Sequence, residues 1–115
     1  MKGEKQNQIE LIYMTAPTNK EARAIAHALV ASKLAACVNI FRGVESFYNW
    51  EGEVQTEKEC VMLVKTGMGL SEKITEFVKQ EHSYDCPCIV VLHPADGNKD
   101  FFKWITEITK DTEVI

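Results

Sequence analysis

The side chains best able to do chemistry are four cysteines, Cys37, Cys60, Cys86 and Cys88, and three histidines, His27, His82 and His93. Cys86-Pro87-Cys88 sets two thiols at i and i+2. In an extended segment those positions point to the same side. His82 lies shortly upstream, so His82, Cys86 and Cys88 could form a soft-metal site. The other reading is a strand entry with two half-buried thiols. The spacing is not the C-x-x-C of redox proteins, and no C-x-x-C pair exists to start a zinc finger. Cys37 and Cys60 sit in the apolar runs LAACVNI and CVMLV and read as small core residues.

The other histidines are isolated. His27 falls on the polar side of a helical pattern, and His93 precedes Pro94 at a strand end. Only His82, between Glu81 and Tyr84, sits among potential ligands. These three could exchange protons, but the sequence places no nucleophile or oxyanion donor beside them. There is no G-x-G-x-x-G, Walker loop or H-E-x-x-H, and Gly67-Met68-Gly69 is only a turn. No enzymatic activity is expected.

These residues need a scaffold. Residues 1–8 read as a flexible tail and 9–115 as one domain. Ile9–Met14 is a β-prone run ended by Thr15-Ala16-Pro17. Thr18 to Glu21 fits a capping box, with the Thr18 hydroxyl on the Glu21 amide and Glu21 reaching back. Ala22, Ile25, Ala26, Leu29 and Val30 then form one apolar helix face. Residues 36–66 read as a long hairpin, with Gly43 as a bulge or bend and Glu51-Gly52 as its turn. Leu70, Ile74, Phe77 and Val78 mark a second helix ending near His82, and Cys88–Leu92 a fourth strand. Asn98 can cap a third, short helix through Phe101, Trp104, Ile105 and Ile108, and residues 112–115 could add a strand.

The order β-α-β-β-α-β-α is the split βαβ pattern of an α+β domain: a four-stranded antiparallel sheet with both main helices on one face. Nothing left in the chain is long enough to cover the other face. Phe41, Phe47, Tyr48 and Trp50 on the hairpin would then be exposed in a monomer, which predicts a closed homo-oligomer.

Composition limits the partners. The 115 residues are 45% hydrophobic and 26% charged, an ordinary globular balance, so disorder and fibres are excluded. A net charge of −4 argues against nucleic-acid binding. No apolar run approaches the ~20 residues of a membrane span, and no secretory signal is visible, so no membrane association and a cytoplasmic location are expected.

The ordered stretches Leu34-Ala35-Ala36-Cys37-Val38-Asn39-Ile40, Trp50-Glu51-Gly52 and Val64-Lys65-Thr66 resemble the CutA family of divalent-cation tolerance proteins. Thr15-Ala16-Pro17, His82-Ser83-Tyr84 with Pro87, and Gly97-Asn98 before Asp100 and Trp104 extend the resemblance over residues 9 to 108. It implies a ferredoxin-like fold with a long central hairpin and an extra C-terminal helix. It also implies a tight homotrimer with clefts between subunits, and tolerance of divalent metals, chiefly copper, without catalysis. Animal members are associated with anchoring or processing of acetylcholinesterase.

Bacterial copper binders of the family use a thiol at the end of the first strand and paired histidines before the tyrosine. Those positions are Met14, Glu81 and His82 here, and the acidic residue after Pro87 is Cys88. The resemblance thus implies Met14, Glu81, His82 and Cys88 as the metal set, with copper as a ligand not needed for folding. Thioether and thiol donors would favour soft metals. Met14 could instead be packing at a strand end. An alternative function, by likeness to the PII signalling trimers, is a small-ligand sensor whose cleft is lined by Trp50, Lys65, His82 and Tyr84, with Lys65 holding an anion. A third is a trimeric scaffold that binds no metal.

Overall fold

The computed structural model describes residues 8–112. The tail expected over residues 1–8 and the strand expected over 112–115 fall almost entirely outside them; Gln8 and Thr112 belong to no helix or strand. The elements are β1 (Ile9–Ala16), α1 (Asn19–Ala31), β2 (Cys37–Trp50), β3 (Glu53–Gly67), α2 (Ser71–Glu81), β4 (Ile89–Leu92) and α3 (Lys99–Thr109). They form one antiparallel sheet in the order β2-β3-β1-β4, the ferredoxin-like split βαβ arrangement.

Alternation along the strands sorts their side chains between two faces. Ile12, Met14 and Ala16 of β1 pair in register with Val64, Met62 and Cys60 of β3 and turn toward the helices. There they meet Ala22, Ile25 and Leu29 of α1 and Ile74 and Val78 of α2. β1 runs two residues past its expected end because Thr15 and Ala16 still pair with Val61 and Cys60. Cys60 is buried, as expected, but Cys37 lies on edge strand β2 and is half-buried.

Thr18 caps α1 by accepting from the Glu21 amide at 3.1 Å. The reciprocal half of the expected capping box is replaced, because the Glu21 carboxylate accepts from the Ser83 amide at 3.1 Å instead.

The face opposite α1 and α2 is not wholly bare, which corrects the sequence-based expectation. At one end α3 lies across it and forms a second core of Ile9, Ala36 and Ile105 with Leu11, Phe102 and Ile108. Helix α3 buries Ile105 and Thr109, while Phe101 and Trp104 stack on each other and stay largely exposed. The close approach needs Gly67: a Cβ there would sit 2.6 Å from the Thr109 hydroxyl. The middle of this face leaves Tyr13, Val90 and Leu92 open to water.

Strand β1 covers β3 only from Gly67 to Cys60, whereas the β2–β3 ladder continues to Trp50–Glu53. The distal hairpin therefore projects as a two-stranded arm, and the molecule measures 49 × 28 × 21 Å. The arm closes with φ of +51° at Glu51 and +81° at Gly52, the mirror-image turn that suits strand twist.

Candidate functional site

The arm acquires its second face through a bulge. Phe41 pairs with Val61 and Val44 with Glu59, so β2 carries one residue too many between them, with Gly43 at φ +68°. Beyond the bulge the side-chain parity of β2 is reversed. Val44, Ser46, Tyr48 and Trp50 then share a face with Glu59, Glu57, Gln55 and Glu53, their partners on β3.

The segment after α2 folds against that face, held by one residue. The His82 side chain is almost wholly buried, and its Nε2–H donates to the Thr15 carbonyl at 2.8 Å. Thr15 lies just past the last β1–β4 pair, Met14–Ile89, so the imidazole stands where strand pairing has stopped. The Nδ1 atom accepts from the Tyr84 amide at 3.0 Å, with the Glu21 carboxylate 3.4 Å away. These two bonds specify the neutral Nε2–H tautomer. Tyr84 then reaches across to Glu59, its hydroxyl donating to Oε2 at 3.4 Å.

Arm and segment enclose an open groove of about 880 Å³. Its aromatic walls are Tyr48, Trp50 and Tyr84. Its charged groups are Glu57, Glu59 and Asp85, and Cys86 and Cys88 add thiols at the sheet end. Among the described residues no lysine, arginine or histidine lines it. The acidity is felt by neighbouring protons. Desolvation, then the Glu59 and Glu57 carboxylates, push the Tyr84 phenol above its ordinary pKa. Tyr48 is raised by desolvation and by Glu57 and Glu59, and Cys88 by desolvation and Glu59. Each shift has one sense, because burial and then a neighbouring carboxylate both disfavour the negatively charged form.

The expected metal set does not assemble. Met14 is fully buried in the core on the helix side of the sheet, the face opposite Thr15 and the groove. Its thioether is a packing group. Glu81 ends α2 in solvent, and both nitrogens of His82 are engaged in the bonds above. Only Cys88 of the four lines the groove. Among the described residues no three His, Cys, Asp or Glu side chains converge as a metal site requires.

The structure brings together some of the residues expected to line a ligand cleft and separates another. Trp50 and Tyr84 do share the groove. Lys65 does not: its ammonium lies 5.6 Å from the centre of the Phe101 ring, beneath α3. It is six residues along β3 from Glu59, or ~20 Å at strand rise. The cation proposed to hold an anion is therefore absent, and carboxylates stand in its place. Glu57 and Glu59 went unremarked in the sequence, and Tyr48 was expected only as part of an association surface, yet Glu53, Gln55, Glu57 and Glu59 alternate in a pattern that places them on one face.

Comparison with known proteins agrees with this architecture. A family model described as CutA1 divalent ion tolerance protein matches residues 10–108. The "Divalent-cation tolerance protein CutA" of Thermus thermophilus is 45% identical over 100 residues, covering 87% of this chain and 97% of that one. "Protein CutA 1, chloroplastic" of Oryza sativa is 38% identical over 102 residues, 89% of this chain, which spans 58% of the plant protein's length. The crystal structure of CutA1 from Oryza sativa superposes with a TM-score of 0.87 at 37% identity, covering 91% of this chain and 96% of that one.

Proposed function

The chain belongs to the CutA1 divalent ion tolerance family, and from that premise we propose that it acts as a homotrimer that binds copper or another soft divalent metal without catalysing a reaction. The observation that carries this reading is the groove, where two thiols and three carboxylates face one space with no basic group among the described residues that line it. Thiols supply softness and carboxylates supply charge. Cys86, Cys88 and Glu59 are the donors that fit a soft ion, in place of Met14, Glu81 and His82. They do not converge in a single subunit, so the ion is held by closure of the thiol-bearing segment or with a donor from a neighbouring copy.

Self-association is supported by the arm. Phe41, Phe47, Trp50 and Val54 are 53%, 69%, 62% and 74% exposed in one chain. A two-stranded ribbon alone is marginal in water, and large apolar side chains exposed on both of its faces mark it as an interface. Packing of three arms against neighbouring sheets would cover them. A cytoplasmic setting fits four unpaired thiols, two of them exposed. Among the described residues no helix is long and apolar enough to cross a membrane.

Equilibrium dialysis against copper and zinc tests the metal reading. Stoichiometric binding that survives His82→Ala and is lost in the Cys86→Ser/Cys88→Ser double variant is expected. Binding unchanged in the double variant would remove the groove as the site.

A further inference from the structure

Asp96-Gly97 is the one Asp-Gly step in the chain, and no Asn-Gly step occurs. It lies in the loop between β4 and α3, where both residues are exposed. Leu92 pairs with Leu11 and Ile89 with Met14, so this loop leaves the sheet at the end away from the arm. The Gly97 amide donates to Asp96 Oδ1 at 2.8 Å, which rests the nitrogen against the carboxyl of the preceding side chain. Two groups held in contact within one chain react far faster than the same groups apart. A side chain after the aspartate would shield that nitrogen, but none fits. A Cβ on Gly97 would stand 2.7 Å from the Phe102 ring, and that ring packs against the second core of Ile9, Ala36 and Ile105. Packing therefore demands glycine at the position where glycine leaves the nitrogen unguarded.

We infer that Asp96 is a site of spontaneous covalent modification, isomerising to isoaspartate in the folded protein and so releasing the start of α3. The Gly97 nitrogen attacks the Asp96 Cγ and closes a five-membered imide. One carboxylate oxygen leaves as water, carrying the nitrogen's proton and one more from solvent. Water then adds to the main-chain carbonyl carbon of Asp96 and breaks its bond to the Gly97 nitrogen, which stays on Cγ. The chain now runs through the Asp96 side chain and is one carbon longer, and the former main-chain carbonyl becomes a free carboxylate. Nothing is oxidised or reduced. The added carbon falls just before the cap of α3, where the Asn98 side chain accepts the Asp100 amide at 3.0 Å and its carbonyl accepts the Phe102 amide at 3.1 Å. It shifts that cap relative to β4 and separates Gly97 from Phe102, so the helix loosens from its first turn.

Ageing the whole folded protein in neutral buffer tests this, with isoaspartate located by peptide mapping and counted by methyl transfer from S-adenosylmethionine with an isoaspartyl methyltransferase. Isoaspartate should form at residue 96 at least tenfold faster than at Asp85, Asp100 or Asp111, whose following residues all carry side chains. It should form at least as fast as in a free peptide of residues 94–99. Asp96→Glu, which would have to close a larger ring, should abolish it, and matching thermal unfolding with wild type establishes that this variant folds. In the isomerised fraction, amide hydrogen exchange at Phe102 should accelerate at least fivefold relative to that at Ile74. A slower reaction in the folded protein than in the peptide would mean that the loop guards the bond, and overturns the proposal. Isoaspartate that leaves exchange at Phe102 unchanged overturns it as well. Neither result touches the metal reading, since the loop carries none of its donors.

Discussion

The Glu10 carboxylate caps the helix that begins at Ser71. Its Oε1 accepts the Ser71 amide at 3.3 Å and the Gly69 amide at 3.1 Å. Helix α2 has no side-chain cap of its own, since Leu70 holds the N-cap position. A buried acid on β1 thus does work usually done by a local serine or aspartate. Its other oxygen meets His93 Nε2 at 2.9 Å, so one side chain ties together β1, the start of α2 and the end of β4.

Glu10→Ala should therefore cost about 1–3 kcal/mol in denaturant unfolding, because two amides at a helix start lose their acceptor. Glu10→Gln keeps one acceptor oxygen and gives up the charge opposite His93, whose side chain is 60% exposed. The exposed partner makes that loss small, below about 1 kcal/mol. Equal costs for the two variants would mean that the His93 contact, not the cap, dominates.

His82→Ala should loosen the groove wall before it unfolds the domain. It leaves the Thr15 carbonyl and the Tyr84 amide without partners, at about 1–3 kcal/mol. Amide hydrogen exchange at Tyr84 should accelerate well beyond that at Ile74, deep in α2. Uniform acceleration would show that the imidazole supports the whole core and not the segment alone.

Stability should fall at alkaline pH for an identifiable reason. Tyr48, Tyr84 and Cys88 all have raised pKa values in the folded state. The unfolded chain releases these protons near the ordinary values, about 8.5 for cysteine and 10 for tyrosine, while the folded chain holds them. Their contribution is complete below the ordinary values and is lost as pH climbs through the raised ones. Urea midpoints should decline above about pH 9, and Tyr84→Phe with Cys88→Ser should flatten the decline. An undiminished slope in that double variant would assign the alkaline loss to other groups.

Charge placed on the outer face of the arm should break the assembly. Phe47 and Val54 lie on the side away from the groove, and both are largely exposed in one chain. Phe47→Arg with Val54→Arg should shift sedimentation at micromolar concentration from trimer to monomer while the secondary structure persists. A wild-type protein that already sediments as a folded monomer would defeat the trimer reading.

The sequence by itself determined the order of elements, the antiparallel pairing, the Gly43 bulge, the Glu51-Gly52 turn and the Thr18 and Asn98 caps. Each is a local matter of periodicity, backbone φ or a hydroxyl or amide within a few residues. It also grouped Trp50 with Tyr84, and both line the groove. Only the tertiary structure decided what surrounds them. Met14 turned inward because strand parity is set by pairing with Met62, and Lys65 went to Phe101 because α3 crosses the far end of the sheet. The imidazole of His82 bonded to backbone because β4 ends one pair short of Thr15. Partners distant in sequence leave no local pattern, so the chain announces which residues are reactive but not which charges they face.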